Sequence, residues 1–253
     1  MYVGKPITLV EIGVQGGGSL FFWRDFLGKQ AQIIGIDLDP SASALEQHGF
    51  KIFIGDQSLP SFWSAFYEAV GPIDILIDDG GHSNKQQIIT LMSSLDYIKD
   101  GGVILIEDTH ASYMKIFGNP SPTSLMCFSK QIVDCINGRS PNVSTAKFNS
   151  IARQIHSAEF FESIVAFKIN RSLCKVPINV ESQGLANAIT DLREMRHLET
   201  VRHWGRSVFV RSFMAFCSLI HPDAKAMLKR TFLRMSYWSE NKSLKSLFDI
   251  SFK

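Results

Sequence analysis

Cysteine is scarce and scattered in this chain of 253 residues: Cys127, Cys135, Cys174 and Cys217 include no CxxC pair. That argues against a zinc site or a disulfide framework and for reduced thiols. No window offers the ~18 consecutive apolar residues of a membrane-crossing helix, and the N-terminal MYVGKPITLVEIG has no charged segment followed by an apolar stretch and a cleavage site. Internal repeats and low-complexity tracts are missing as well. These absences predict a cytoplasmic protein. Net charge is nearly absent too, at +2, but only because two opposite regions cancel. Residues 1–167 hold 11 Lys and Arg against 17 Asp and Glu, whereas the remainder holds 15 against 7. A basic tail on an acidic domain predicts an interaction surface at the C-terminal end.

What is present is apolar side chain, 45% of the residues, enough for one sizeable α/β domain with an appendage. Short apolar, β-branched runs recur: ITLVEIG, QIIGIDLD, FKIFIGD, IDILIDD and GGVILIED, each ending in an acid or glycine. Continuous hydrophobicity marks strands buried on both faces, as in a parallel sheet covered by helices. The intervening SLFFWRDFLGKQ and PSFWSAFYEAVG have crossover length. IHSAEFF and SIVAFKI, joined by a tight turn, predict an antiparallel hairpin closing the edge. The fold class is therefore α/β: a doubly wound, mostly parallel Rossmann-like sheet over residues 1–170, followed by a basic helical extension over 171–253.

In such sheets ligands collect beyond the carboxyl ends of the strands, which turns strand-terminal residues into a site map. VEIGVQGGGS joins the first strand to the first helix with Gly13, Gly16, Gly17 and Gly18. Such a turn admits the pyrophosphate of a dinucleotide or the methionine part of S-adenosylmethionine, or is simply a tight turn without ligand. Asp37 follows Gly18 by 19 residues, at the distance where a carboxylate accepts from ribose hydroxyls. Asp56 and Gln57 in GDQS suit the adenine edge, and Glu11 suits a cationic ammonium better than a pyrophosphate.

The stretch IDILIDDGGH raises the sharper question, because Asp78 and Asp79 repel each other and are expensive to bury without a cation, a proton or donors nearby. Asp79, Glu107 and Asp108 stand at the ends of neighbouring predicted strands and provide the oxygen ligands of a hard divalent cation, Mg²⁺. His82, three residues past Asp79, is placed to act as general base outside the metal's ligand shell. The bland alternative for His82 is a surface histidine beside a capping acid. Asp78 is read as structural, and His110 as either facing substrate or an ordinary loop residue.

VEIGVQGGGS, GIDLD, GDQS, IDDGGH and GGVILIEDTHASY, in this order, together resemble the class I S-adenosylmethionine-dependent methyltransferases, and within them the macrolide sugar O-methyltransferases. The resemblance spans roughly residues 7–170. It implies that Asp79, Glu107 and Asp108 ligate Mg²⁺, that His82 is the base, and that the acceptor is a sugar hydroxyl on a glycan or glycosylated small molecule. It also implies a cofactor pocket formed by Glu11, Gly13, Gln15, Gly16, Gly17, Ser19, Asp37, Asp56, Gln57 and Asp79. Unlike the family, this chain begins almost at its first strand. Competing readings are a nicotinamide-dependent oxidoreductase on a similar sheet, a non-catalytic cofactor-binding scaffold, and, more remotely, an iron oxygenase.

In the tail, Leu185, Ile189, Leu192, Met195 and Leu198 recur at helical spacing. AKAMLKRTFLRMSYW mixes Lys225, Lys229, Arg230 and Arg234 with Phe232, Tyr237 and Trp238. This predicts packing as a lid and homo-oligomer interface, with peripheral membrane contact or an anionic glycan as alternatives. Nucleic acid is disfavoured, because the acidic first region repels phosphates.

Overall fold

The computed structural model describes residues 2–139 and 150–178, with isolated positions between 203 and 245. The chain divides into two compact units, Met1–Asn179 and Val180–Lys253, against the sequence boundary at residue 170. The helix face from Leu185 to Leu198 and the basic aromatic segment around Phe232, Tyr237 and Trp238 lie outside the described residues. So do the oligomer and membrane expectations built on them. No helix among the described residues is long and apolar enough to cross a membrane.

In the first unit the elements run β1 (Thr8–Ile12), α1 (Gly18–Leu27), β2 (Gln32–Asp37), β3 (Lys51–Ile54), α2 (Pro60–Val70) and β4 (Ile73–Asp78). Then come α3 (Asn84–Ser94), β5 (Ile98–Ile106), α4 (Leu125–Asn137), β6 (Ile155–Phe161) and β7 (Ile164–Ile169). They build one seven-stranded sheet in the order β3-β2-β1-β4-β5-β7-β6. The first five strands are mutually parallel, and β7 runs antiparallel to both β5 and β6, so the predicted edge hairpin is present.

The apolar runs become strands because both sheet faces are covered. Val10, Ile34, Ile36, Leu76 and Ile104 are fully buried in one core with Trp63, Phe66, Leu91 and Ile132 from the helices of that face. Leu9, Ile33 and Ile77 face the other core, with Leu20 and Leu27 of α1. Each such side chain contributes about 1.5–3 kcal/mol by leaving water. The helices begin where local chemistry satisfies their free N–H groups. Pro60 opens α2, Ser124 caps α4 by accepting from the Cys127 N–H, and Ser83 forms a reciprocal capping box with Gln86 at α3.

Strand order reverses between β1 and β4, which opens a crevice at their carboxyl ends. There the chain segments nearly touch. Ile12 pairs with Asp78, and Gly13 follows at φ +85° with a hypothetical Cβ only 2.1 Å from the Asp79 carbonyl oxygen. Only glycine fits this position.

Candidate active site

A cavity of about 230 Å³ occupies the crevice, lined by Ile12, Gly13, Gln15, Asp37, Leu38, Gly55, Asp56, Gln57, Asp79, Gly80, Gly81 and Gln86. On the β1–β3 side its acids accept from backbone N–H groups and a hydroxyl. Asp37 Oδ2 accepts from the Gln15 N–H and Oδ1 from the Asp39 N–H, both at 2.9 Å. Asp56 accepts from the Ser58 N–H at 2.7 Å and hydroxyl at 3.0 Å. The glycine turn passes the cavity with open space beside Gly16 and Gly18, and Gly17, at φ +79°, packs on Leu45.

Glu11 lies at the floor of this turn, 3% exposed. Burial pushes its carboxyl up to about 7, against a hydrogen bond from Ser19, and the nearby Asp79 and Glu107 push the same way. Its Oε2 finds no hydrogen-bond partner among the described residues. A buried carboxylate oxygen without a donor is costly, and a ligand cation resting on it removes that cost.

Beyond β4 and β5, Asp79, His82 and Asp108 each place one potential ligand atom within 4.8 Å of the others. His82 Nε2 is 3.4 Å from Asp108 Oδ2, while its buried Nδ1 has no partner among the described residues. Desolvation raises the Asp79 carboxyl, which His82 pulls back and Asp108 raises further. Glu107 is raised by desolvation and then by Asp79 and Asp108, so it shares their field without belonging to the close trio. The Glu107 backbone N–H donates to the Asp78 carbonyl at 2.9 Å, and the Glu107 carbonyl accepts from Gln87 Nε2 at 2.9 Å. Two carboxyls raised by desolvation and by neighbouring acids, Asp79 and Glu107, mark a place that wants positive charge.

Backbone strain concentrates here as well. The non-glycine residues at positive φ among those described are Gln15, His82, Asp108 and Ser163. The first three belong to the candidate site. Ser163, at the β6–β7 turn, contacts His110 Nδ1 through its hydroxyl and accepts the Thr109 N–H at 3.0 Å through its carbonyl, steadying the loop after Asp108. His110 Nδ1 is also 3.8 Å from Asp108 Oδ1, so His110 adjoins the cluster.

The sequence-predicted residues thus divide. Gly13, Gln15, Asp37, Asp56, Gln57 and Asp79 line one cavity. Glu11, Gly16, Gly17 and Ser19 belong to the β1–α1 segment beside it without lining it. Asp78 is fully buried, accepting from Gln57 Nε2 at 2.8 Å and the Gly80 N–H at 3.2 Å, a structural role as expected. Gln57 lines the cavity, but its carboxamide bonds run inward rather than toward a ligand. Ile12, Leu38, Gly55, Gly80, Gly81 and Gln86 escaped sequence reasoning. For Gln86 a signal existed, since Ser83-x-x-Gln86 has capping-box spacing directly after the GGH turn.

Residues 10–109 match a methyltransferase domain family. Demethylmacrocin O-methyltransferase from Streptomyces fradiae is 30% identical over 160 residues, 55% of this chain and 40% of that protein. Mycinamicin VI 2''-O-methyltransferase from Micromonospora griseorubida is 31% identical over 148 residues, 53% of this chain and 36% of that one. The chain therefore spans less than half the length of these curated relatives. A solved structure of the MycE methyltransferase of mycinamycin biosynthesis, in complex with Mg and SAH, superposes with a TM-score of 0.63 at 25% identity, over 75% of this chain and 52% of its own. With the motifs in order and the sheet in this topology, residues 10–109 form a methyltransferase domain, and the chain is similar to the class I S-adenosylmethionine-dependent methyltransferases and, within them, to the macrolide sugar O-methyltransferases.

Proposed function

We propose that this chain transfers a methyl group from S-adenosylmethionine to a sugar hydroxyl of a glycan or glycosylated small molecule, using Mg²⁺ gathered by Asp79, Asp108 and Glu107. The observation that carries this reading is the trio Asp79, His82 and Asp108, at the ends of adjacent strands and next to the cavity that Asp79 also lines. Its donor set fits the metal: carboxylate oxygens suit a hard cation, and mutual repulsion among Asp79, Asp108 and Glu107 is relieved by one. The orphaned Glu11 Oε2 likewise fits the ammonium of the methionine moiety. The MycE structure was solved with Mg and SAH, and one similar protein, from Streptomyces olivaceus, is named as the 2'-O-methyltransferase of a rhamnosyl tetracenomycin.

When bound, the cation would polarise the acceptor hydroxyl and the sulfonium would supply the methyl group. The chain's own residues do the rest. Asp37 offers acceptors for the ribose hydroxyls and Asp56 an acceptor for the adenine amino group along one wall. Asp108 Oδ2 faces His82 Nε2, so a proton taken from the hydroxyl at Nε2 is stabilised by the carboxylate beside it.

The test is S-adenosylhomocysteine formation on a glycosylated macrolide, with and without a chelator. Activity should vanish in chelator and return with Mg²⁺; full activity in chelator would remove the metal from the mechanism. His82→Ala should lower turnover by roughly 10²–10⁴ with cofactor affinity intact. Loss of cofactor binding instead would reassign His82 to the pocket.

A further inference from the structure

We infer that Gln57 is a positioning residue that clamps the Asp79–His82 loop, not a reader of the cofactor's base. This rests on the methyltransferase reading above. Gln57 follows β3 and is 5% exposed. Its Nε2 donates to Asp78 Oδ1 at 2.8 Å and to Thr90 Oγ1 on α3 at 3.0 Å, and its Oε1 accepts from the Gly81 N–H at 3.0 Å. Both carboxamide hydrogens are therefore committed, and the side chain has no donor left for an adenine edge. The fit is close as well as polar, because a Cβ on Gly80 would stand 2.1 Å from Gln57 Oε1. The two glycines of the loop let it close onto the carboxamide.

What the clamp holds is a conformation the loop would not choose. His82 sits at φ +56°, a region unfavourable to an L side chain that persists only where the surroundings over-determine it. It is bracketed on both sides. Upstream, the Gly81 N–H is held by Gln57. Downstream, the Ser83 N–H donates to the Gly81 carbonyl at 2.8 Å and to Gln86 Oε1 at 3.3 Å. Without the upstream bracket, Asp79 and His82 lose the placement that lets them meet Asp108. Gln57 thereby ties the end of β3, next to Asp56, to the donors beyond β4, and couples the cofactor wall to the reacting centre.

The discriminating variant is Gln57→Met, which keeps the volume and removes the amide. Three quantities are read on the full chain: kcat at saturating S-adenosylmethionine, Mn²⁺ affinity by electron paramagnetic resonance, and S-adenosylhomocysteine affinity by calorimetry. The clamp predicts kcat down about 10- to 100-fold and Mn²⁺ binding weakened about tenfold, as for residues that orient metal ligands, with S-adenosylhomocysteine affinity within threefold of wild type. A tenfold or greater loss of S-adenosylhomocysteine affinity with kcat and Mn²⁺ binding unchanged would overturn the inference and restore Gln57 as a base reader. Should Gln57→Met not fold, Thr90→Val decides, since it strips one acceptor from the carboxamide without touching the cavity lining. A smaller fall in kcat at constant S-adenosylhomocysteine affinity supports the clamp, and unaltered values overturn it. A wild-type chain that binds no Mn²⁺ would overturn the metal reading itself and this inference with it, an outcome distinct from a failure of Gln57 alone.

Discussion

The two walls of the crevice are held by different kinds of bond. On the β1–β3 side the acids are set mainly by partners two residues away, Asp37 with Asp39, Asp39 with Ser41 and Asp56 with Ser58, with one longer reach from the Gln15 N–H to Asp37. On the β4–β5 side the loop is set from afar, by Gln57 reaching 24 residues to Gly81 and 33 to Thr90, and by the β6–β7 turn reaching back to Thr109 and His110. Short turns of Asp and Ser form with little help from the rest of the chain. Long-range clamps exist only once the sheet is assembled. The wall assigned to cofactor recognition is thus locally specified, while the chemical wall inherits its geometry from tertiary structure, and perturbations of the two should differ in size.

The largest effect is expected where the walls meet. Gly13→Ala places a methyl 2.1 Å from the Asp79 carbonyl oxygen and strains a residue at φ +85°. Neither backbone can yield without moving a strand end. Strain and overpacking together should cost roughly 2–5 kcal/mol, read as a lower urea midpoint, with cofactor binding lost in parallel. A variant with a wild-type midpoint would mean that the strand ends are not packed this tightly and that the walls are independent.

Glu11 comes next, because it is buried on the seam and its carboxyl is raised from 4.5 to about 7. The native state therefore holds a proton that the unfolded chain has released between these values, and stability falls as pH rises through that window. Glu11→Gln has no such proton. Relative to the variant, ligand-free wild type should lose on the order of 2 kcal/mol between pH 5 and 8, read from thermal or urea midpoints at each pH. A cation bound against the ionised carboxylate reverses the trend, so S-adenosylmethionine affinity should rise with pH across the window in wild type and stay flat in Glu11→Gln. Parallel stability curves for the two proteins would show that Glu11 ionises as freely folded as unfolded.

This contrast also explains what the sequence made legible. The strands and the edge hairpin could be read because continuous apolar runs have one cheap solution, burial on both faces of a parallel sheet. Asp37, Asp56 and the glycine turn could be placed because they terminate such runs. Gln57 was drawn into the pocket by its position in GDQS, yet the direction of its carboxamide depends on Asp78, Thr90 and Gly81, all more than 20 residues away. The same limit separates the expected carboxylate group of Asp79, Glu107 and Asp108 from the close trio of Asp79, His82 and Asp108. Which member of an adjacent acid pair turns toward a neighbour is decided by local φ: Asp108 takes +51°, a conformation no spacing rule announces.

The smallest effect should come from the locally built wall, and it tests whether that wall is self-sufficient. Ser58→Ala removes the hydroxyl that donates to Asp56 Oδ2 at 3.0 Å but leaves the backbone N–H at 2.7 Å on Oδ1. One net hydrogen bond at a partly buried site contributes about 0.5–1.5 kcal/mol, and here the turn retains its main-chain closure. The urea midpoint should therefore shift by less than about 1 kcal/mol equivalent and S-adenosylhomocysteine affinity by less than threefold, because Asp56 stays where its own turn puts it. If this single hydroxyl instead cost as much as Gly13→Ala, Asp56 would have to be held by the assembled sheet rather than by its neighbours. The difference between the two walls would then disappear.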